Sequence, residues 1–93
     1  MKTLKRIDLK IVYVNEYPLP SEVQENTLYI DKNKKWFVHN CLCGCKSLIN
    51  LPLGRNGWSL HEFQDNKISI TPSILNHLCK AHYIIGDSRA NIV

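Results

Sequence analysis

Four cysteines constrain this 93-residue chain more than any other feature. Three lie in the run Cys41-Leu42-Cys43-Gly44-Cys45, and the fourth opens the segment Cys79-Lys80-Ala81-His82. Thiolates this close together, completed by a distant Cys-x-x-His, are typical of a tetrahedral zinc site. Gly44 helps because glycine lets the backbone curl until neighbouring cysteines reach one metal ion. The chain is therefore predicted to fold around a metal.

Five side chains compete for the four positions around the predicted zinc ion. One interpretation uses the four thiolates Cys41, Cys43, Cys45 and Cys79 and leaves His82 free. The other uses two of the first three cysteines together with Cys79 and His82. Either set completes the tetrahedron, so we expect structural zinc whose binding energy, on the order of 10 kcal/mol, contributes to folding. Ordinary buried thiols, an iron–sulfur cluster and a reactive cysteine are the other interpretations of the same residues.

Length and composition indicate one small domain, residues 1–93, with a marginal hydrophobic core. No apolar run approaches the roughly 18 residues that span a bilayer. Asp8 and Lys10 also interrupt the segment that follows the basic N-terminus. We therefore expect a cytoplasmic protein, in which cysteines bind metals more often than they form structural disulfides. The net charge of +4 favours acidic partners but does not by itself indicate a nucleic-acid binder.

Short β-branched runs separated by turn residues predict a mostly β fold. The predicted strands are residues 7–14, 27–30, 35–39, 48–53, 58–63, 67–71, 82–85 and 90–93. Residues 27–39 and 58–71 each predict a hairpin. Helical spacing is confined to residues 74–78, directly after Pro72-Ser73. We expect a small antiparallel β domain with one short helix near the C-terminus, stabilised by the zinc site.

Ser73 stands at the predicted strand-to-helix transition and has two interpretations. It is a helix-capping residue worth about 1 kcal/mol, or it is a nucleophile beside backbone N–H groups that could hold an oxyanion. His82 is available as a general base if the four cysteines fill the zinc site, and His77 lies on the same predicted helical face as Ser73. The sequence does not choose among the carboxylates that could complete a triad, namely Asp31, Glu62, Asp65 and Asp87.

Several segments in combination resemble one bacterial family. They are residues 41–45, 58–60, 68–74 and 79–85, preceded by the early strand at 27–30. The similarity spans about residues 26–93, which is most of the chain. On these segments the chain resembles the family catalogued as domain of unknown function 6527, whose members are often encoded beside ubiquitin-like proteins and their activating and conjugating enzymes.

The resemblance implies a small zinc-stabilised serine peptidase that acts on the C-terminal region of a ubiquitin-like protein. Ser73 would be the nucleophile and His82 the general base, and the four cysteines would bind the zinc ion. An alternative is a non-catalytic zinc module that binds a partner protein and uses His82 as a ligand. Nucleic-acid binding through the basic turn at residues 32–35 is a third, less favoured function.

Overall fold

The computed structural model describes residues 5–42, 47–76 and 81–92. These residues contain nine strands and two short 3₁₀ turns, Pro20–Glu22 and Gln64–Asn66. The strands are β1 (Lys5–Asp8), β2 (Lys10–Val14), β3 (Thr27–Asp31), β4 (Trp36–Asn40), β5 (Leu48–Pro52), β6 (Ser59–Glu62), β7 (Ile68–Leu75), β8 (His82–Gly86) and β9 (Arg89–Ile92).

The described strands form two sheets. One has five strands in the order β1-β9-β8-β7-β6, and the other has four in the order β2-β3-β4-β5. Strands β2 and β3 run parallel, and the other strand pairs in the described part of the chain are antiparallel. The prediction of a mostly β fold is confirmed, and so are the predicted hairpins, which are β3–β4 and β6–β7.

The first predicted strand, residues 7–14, is divided at Leu9 between the two sheets. β1 pairs with β9 in the five-stranded sheet, whereas β2 pairs with β3 in the other. The Leu9 N–H donates to Ser88 O at 3.0 Å, and the next N–H, of Lys10, donates to Asn26 O at 2.9 Å. Leu9 is only 9% exposed. Its burial explains the division, because the chain crosses between the sheets at this apolar residue.

The predicted helix at residues 74–78 is wrong where the structure describes it. Ile74 and Leu75 end strand β7, and Ser73 lies inside that strand, so Ser73 is not a helix cap. Residues 77–80 lie outside the described residues. A short apolar run fits a helix or a strand equally well. Pairing with β8 decides the outcome here, with Ile74 opposite Tyr83 and Leu75 opposite His82.

The hydrophobic core lies between the two sheets. Its fully buried members include Leu28, Ile30 and Phe37 from the four-stranded sheet and Ile70, Tyr83, Ile85 and Ala90 from the five-stranded sheet. Side chains alternate between the faces of a strand. On the four-stranded sheet the far face is also covered, because Tyr29 and Val38 are buried in a second cluster with Val23. On the five-stranded sheet the far face carries Ser73 and His82.

A buried histidine–tyrosine pair joins the sheets. His39 Nε2 lies 2.6 Å from the hydroxyl oxygen of Tyr83, and both side chains are fully buried. Burial lowers the pKa of His39 to about 4, so its ring is neutral near pH 7. The hydrogen bond fixes β8 against β4 one residue away from His82.

Replacing Tyr83 by phenylalanine tests the contribution of this pair. The variant leaves His39 Nε2 buried without the hydroxyl, and an unsatisfied buried group costs about 1–3 kcal/mol. We expect a loss of that size in the free energy of unfolding, measured by urea denaturation. Tyr17→Phe is the matched control, because the Tyr17 side chain is 56% exposed and its ring stacks on Trp36. Equal stability of both variants would contradict the role assigned to the pair.

Candidate active site

Ser73 and His82 form a hydrogen-bonded pair. Ser73 Oγ lies 2.7 Å from His82 Nε2, and both side chains are half-buried. When the proton of the neutral ring is on Nδ1, Nε2 accepts the hydrogen bond from the serine hydroxyl. A hydroxyl bonded to an imidazole nitrogen at this distance is the arrangement in which histidine activates a serine nucleophile.

The β7–β8 pairing brings the two residues together across nine positions of sequence. Ile74 and Tyr83 are opposite each other and point into the core, so the adjacent Ser73 and His82 point to the outer face of the sheet. His82 is opposite Leu75, which makes Ser73 its diagonal neighbour on the same face. Diagonal neighbours in an antiparallel pair lie within reach of long side chains. The contact is thus a product of strand register.

An irregularity in β7 sets Ser73 apart from the regular ladder. The register with β8 shifts between Ile70, which is opposite Ile85, and Ile74. On the other side of β7, pairing with β6 ends at Thr71. Ser73 therefore has no partner residue in the β6–β7 or the β7–β8 register. Its carbonyl oxygen accepts a hydrogen bond from Trp58 Nε1 at 3.4 Å.

Trp58 is held beside Ser73 by a tight turn. The Gly54–Trp58 turn is closed by the Trp58 N–H, which donates to Pro52 O, and by the Gly54 N–H, which donates to Trp58 O, both at 2.9 Å. Gly57 is required there, because a Cβ atom at that position would collide with the backbone carbonyl of Pro52. Trp58 was not among the predicted site residues. Its signals in sequence were its place in the segment 58–60, which contributes to the family resemblance, and its position after a glycine turn.

The four carboxylates proposed for a triad do not contact His82 in the described part of the chain. Asp31 Oδ2 accepts the Lys35 N–H at 3.2 Å, and Asp87 lies 3.5 Å from Lys67 Nζ. Glu62 pairs with Lys34 and accepts the Tyr13 hydroxyl at 2.9 Å, contacts that lower the pKa of its carboxyl. Asp65 lies in the 3₁₀ turn Gln64–Asn66. Among the described residues, the hydrogen-bond partner of His82 Nε2 is Ser73 Oγ.

Only Cys41 of the four predicted zinc ligands lies in the described residues. It is 4% exposed and packs in the core, and its N–H donates to Ser47 O at 2.8 Å. Cys43, Cys45, Cys79 and also His77 lie outside the described residues. Within residues 5–42, 47–76 and 81–92 there is no group of three metal-binding side chains. The ligand set therefore stays a prediction.

Comparison with known proteins gives the family of this chain. Residues 14–93 match the model of the family described as bacterial ubiquitination-like system serine protease (BubE). The chain belongs to the BubE family. This membership supports the serine-peptidase association that the sequence resemblance implied. No curated protein and no solved structure gives a significant match.

The structure also bears on membrane insertion. The described residues include no helix with the length and apolar character needed to cross a bilayer.

Proposed function

We propose that this protein is a serine peptidase that cleaves near the C-terminus of a ubiquitin-like protein, with Ser73 as nucleophile and His82 as general base. The observation that carries the proposal is the 2.7 Å contact between Ser73 Oγ and His82 Nε2, in a chain of the BubE serine protease family. The ubiquitin-like substrate follows from the ubiquitination-like system named in the family description.

The proposed reaction has two halves. Ser73 Oγ attacks the scissile carbonyl carbon while its proton passes to His82 Nε2, and the protonated histidine then donates that proton to the leaving amine. This step leaves an acyl-enzyme ester on Ser73. In the second half His82 takes a proton from water as the water oxygen attacks the ester carbon. The bond between that carbon and Ser73 Oγ then breaks, the carboxylic acid product leaves, and His82 returns the proton to Ser73 Oγ.

The N–H of Ser73 is our candidate oxyanion donor. The Ser73 carbonyl is bonded to the Trp58 indole, which lies on the side of β7 away from β8. In a regular strand the N–H and C=O of one residue point to the same side, so we infer that the Ser73 N–H faces this side too. A backbone N–H placed beside the nucleophile can stabilise the oxygen charge that develops during attack.

A structural zinc ion bound by Cys41, Cys43, Cys45 and Cys79 completes the proposal. The residues flanking these cysteines fit it: Cys41 N–H bonds to Ser47 O, and Asn76 N–H bonds to Ala81 O at 2.8 Å, on either side of the two cysteine segments. The His39–Tyr83 bond joins the strands that lead into those segments. Zinc would supply folding energy, and His82 would stay available for Ser73.

The decisive experiment combines cleavage with labelling of the nucleophile. The protein is incubated with the ubiquitin-like protein of the same system, extended at its C-terminus, and the products are identified by intact mass. A fluorophosphonate probe is applied in parallel and its site is mapped by peptide sequencing. We expect loss of the extension and modification of Ser73. An intact substrate together with an unmodified Ser73 would rule out the proposed function.

A further inference from the structure

Among the described residues, no strand covers the second half of β7 on the side away from β8, which leaves an open edge beside Ser73. Strand β6 covers β7 only from Ile68, opposite Glu62, to Thr71, opposite Ser59. Beyond Thr71, Ile74 and Leu75 pair with β8, and no residue of β7 from 72 to 75 pairs with a strand on the β6 side in the described part of the chain. β7 is an inner strand of the five-stranded sheet, but β6 is shorter than β7. The uncovered end of β7 is therefore a short sheet edge next to the candidate nucleophile.

The direction of the backbone groups along this edge follows from two hydrogen bonds. The Asn76 N–H donates to Ala81 O, so it points toward β8. The N–H and C=O of successive strand residues point to alternate sides. The N–H and C=O of Ser73 and Leu75 therefore point away from β8. The Trp58 Nε1 bond to Ser73 O agrees with this assignment. Leu75 therefore presents both an N–H and a C=O to the open side.

We propose that the C-terminal tail of the substrate docks here as an added strand, hydrogen-bonded to the backbone of Leu75. This inference rests on the proposed function, because the substrate is the ubiquitin-like protein assigned above. Addition of an extended peptide to a sheet edge is a general recognition mode in which main-chain hydrogen bonds supply affinity. It requires of the tail only an extended conformation without proline at the bonded position.

Distance selects this edge over the outer edge of β6. Paired strands lie about 4.8 Å apart, so a tail added to β7 lies one strand spacing from Ser73. A tail added to the outside of β6 lies two spacings, about 9.6 Å, from β7, which is beyond the reach of a serine side chain. Leu75, which is opposite His82 and 48% exposed, and Ile84, which is 44% exposed and two residues along β8, face the same side of the sheet as Ser73 and His82. They offer contacts to apolar side chains of the tail.

A proline substitution removes the proposed donor and leaves the β8 ladder in place. Proline is tolerated at a strand edge where the N–H faces away from the sheet, so Leu75→Pro deletes only the outward N–H. Leu75→Ala is the matched variant, because both substitutions remove the leucine side chain and only one removes the N–H. We expect kcat/KM for the ubiquitin-like substrate to be about tenfold lower in L75P than in L75A. Fluorophosphonate labelling of Ser73 should proceed at similar rates in the two variants.

A second measurement tests the docking without relying on a proline variant. In the Ser73→Ala protein, amide hydrogen exchange of Leu75 is followed by NMR with and without the ubiquitin-like protein. We expect exchange at Leu75 to slow about tenfold or more on binding, while the Ile74 amide, already directed toward β8, changes little. Unchanged exchange at Leu75 in the complex overturns the docking proposal. The docking proposal is also overturned if the Leu75 amide exchanges slowly without substrate and ultracentrifugation shows a dimer. That result would mean that a second copy of the chain covers the edge.

The two proposals fail in different ways. If Ser73 is not the nucleophile, Ser73→Ala cleaves the substrate normally and the fluorophosphonate probe does not label that residue. If only the docking is wrong, labelling and cleavage persist, and L75P and L75A cleave at equal rates.

Discussion

Replacing Ser73 by alanine is expected to reduce kcat for the ubiquitin-like substrate by roughly 10³-fold or more. The substitution removes the oxygen that lies 2.7 Å from His82 Nε2. The half-buried position accepts a methyl group, so we expect the midpoint of thermal unfolding and the zinc content to stay close to those of the parent protein. Cleavage is measured by intact mass, unfolding by circular dichroism and zinc by atomic emission.

Ser69→Ala is the matched control for this result. Ser69 lies on the same strand and the same outward face as Ser73, and its Oγ accepts the Asp87 N–H at 3.1 Å. The Ser69→Ala variant therefore loses a hydroxyl and a hydrogen bond without affecting Ser73 or His82. We expect it to cleave the substrate at nearly the rate of the parent protein. Full activity in Ser73→Ala would refute the nucleophile assignment. An equal loss in both variants would trace the effect to the sheet rather than to the nucleophile.

Replacing His82 by alanine is expected to lower kcat by about 10²–10⁴-fold, the usual contribution of a general base. Zinc content distinguishes the two functions that the sequence left open. If His82 acts on Ser73 and four thiolates hold the metal, the variant keeps one zinc ion per chain and its fold. If His82 is a zinc ligand, the variant loses zinc and unfolds, and the chain is a zinc module without this base.

His61→Ala is the control for His82→Ala, since it also removes a histidine bonded to a hydroxyl. His61 Nε2 lies 3.2 Å from Thr71 Oγ1 on the same sheet, but the residue is exposed and lies on the neighbouring strand β6. We expect its cleavage rate and zinc content to match those of the parent. Loss of activity in His61→Ala comparable to that in His82→Ala would move the general base to β6.

The local pattern of the chain predicts most of the strands. The hairpin β3–β4 is an example: its strands are β-branched and aromatic, and the polar residues 31–34 between them favour a turn. These preferences depend on a few neighbouring residues, so they predict the hairpin without knowledge of the rest of the fold. The division at Leu9 was missed because both halves have the same strand pattern, and only their different partners separate them.

The region around Ser73 shows where local pattern fails. Ile74 and Leu75 fit a helix by their spacing, but β8 supplies a partner strand and Tyr83 supplies the buried contact that a strand requires. The expected contact between Ser73 and His82 is present, although it arises from strand register and not from a helix N-terminus. Sequence spacing alone cannot distinguish those two routes to the same contact.

The class of fold and the residues able to carry chemistry can be read from the chain alone, because propensity and side-chain chemistry are properties of local sequence. The cysteine spacing belongs to this part, and the zinc ion that it predicts stays a prediction. The three-dimensional arrangement was needed to show that Ser73 and His82 share the outer face of a sheet and that Trp58 bonds the Ser73 carbonyl. It was also needed to show that β6 stops at Ser59 and leaves the β7 edge open beside them in the described part of the chain. Those features depend on strand register and on where each strand ends, and both are set by packing between residues far apart in the chain.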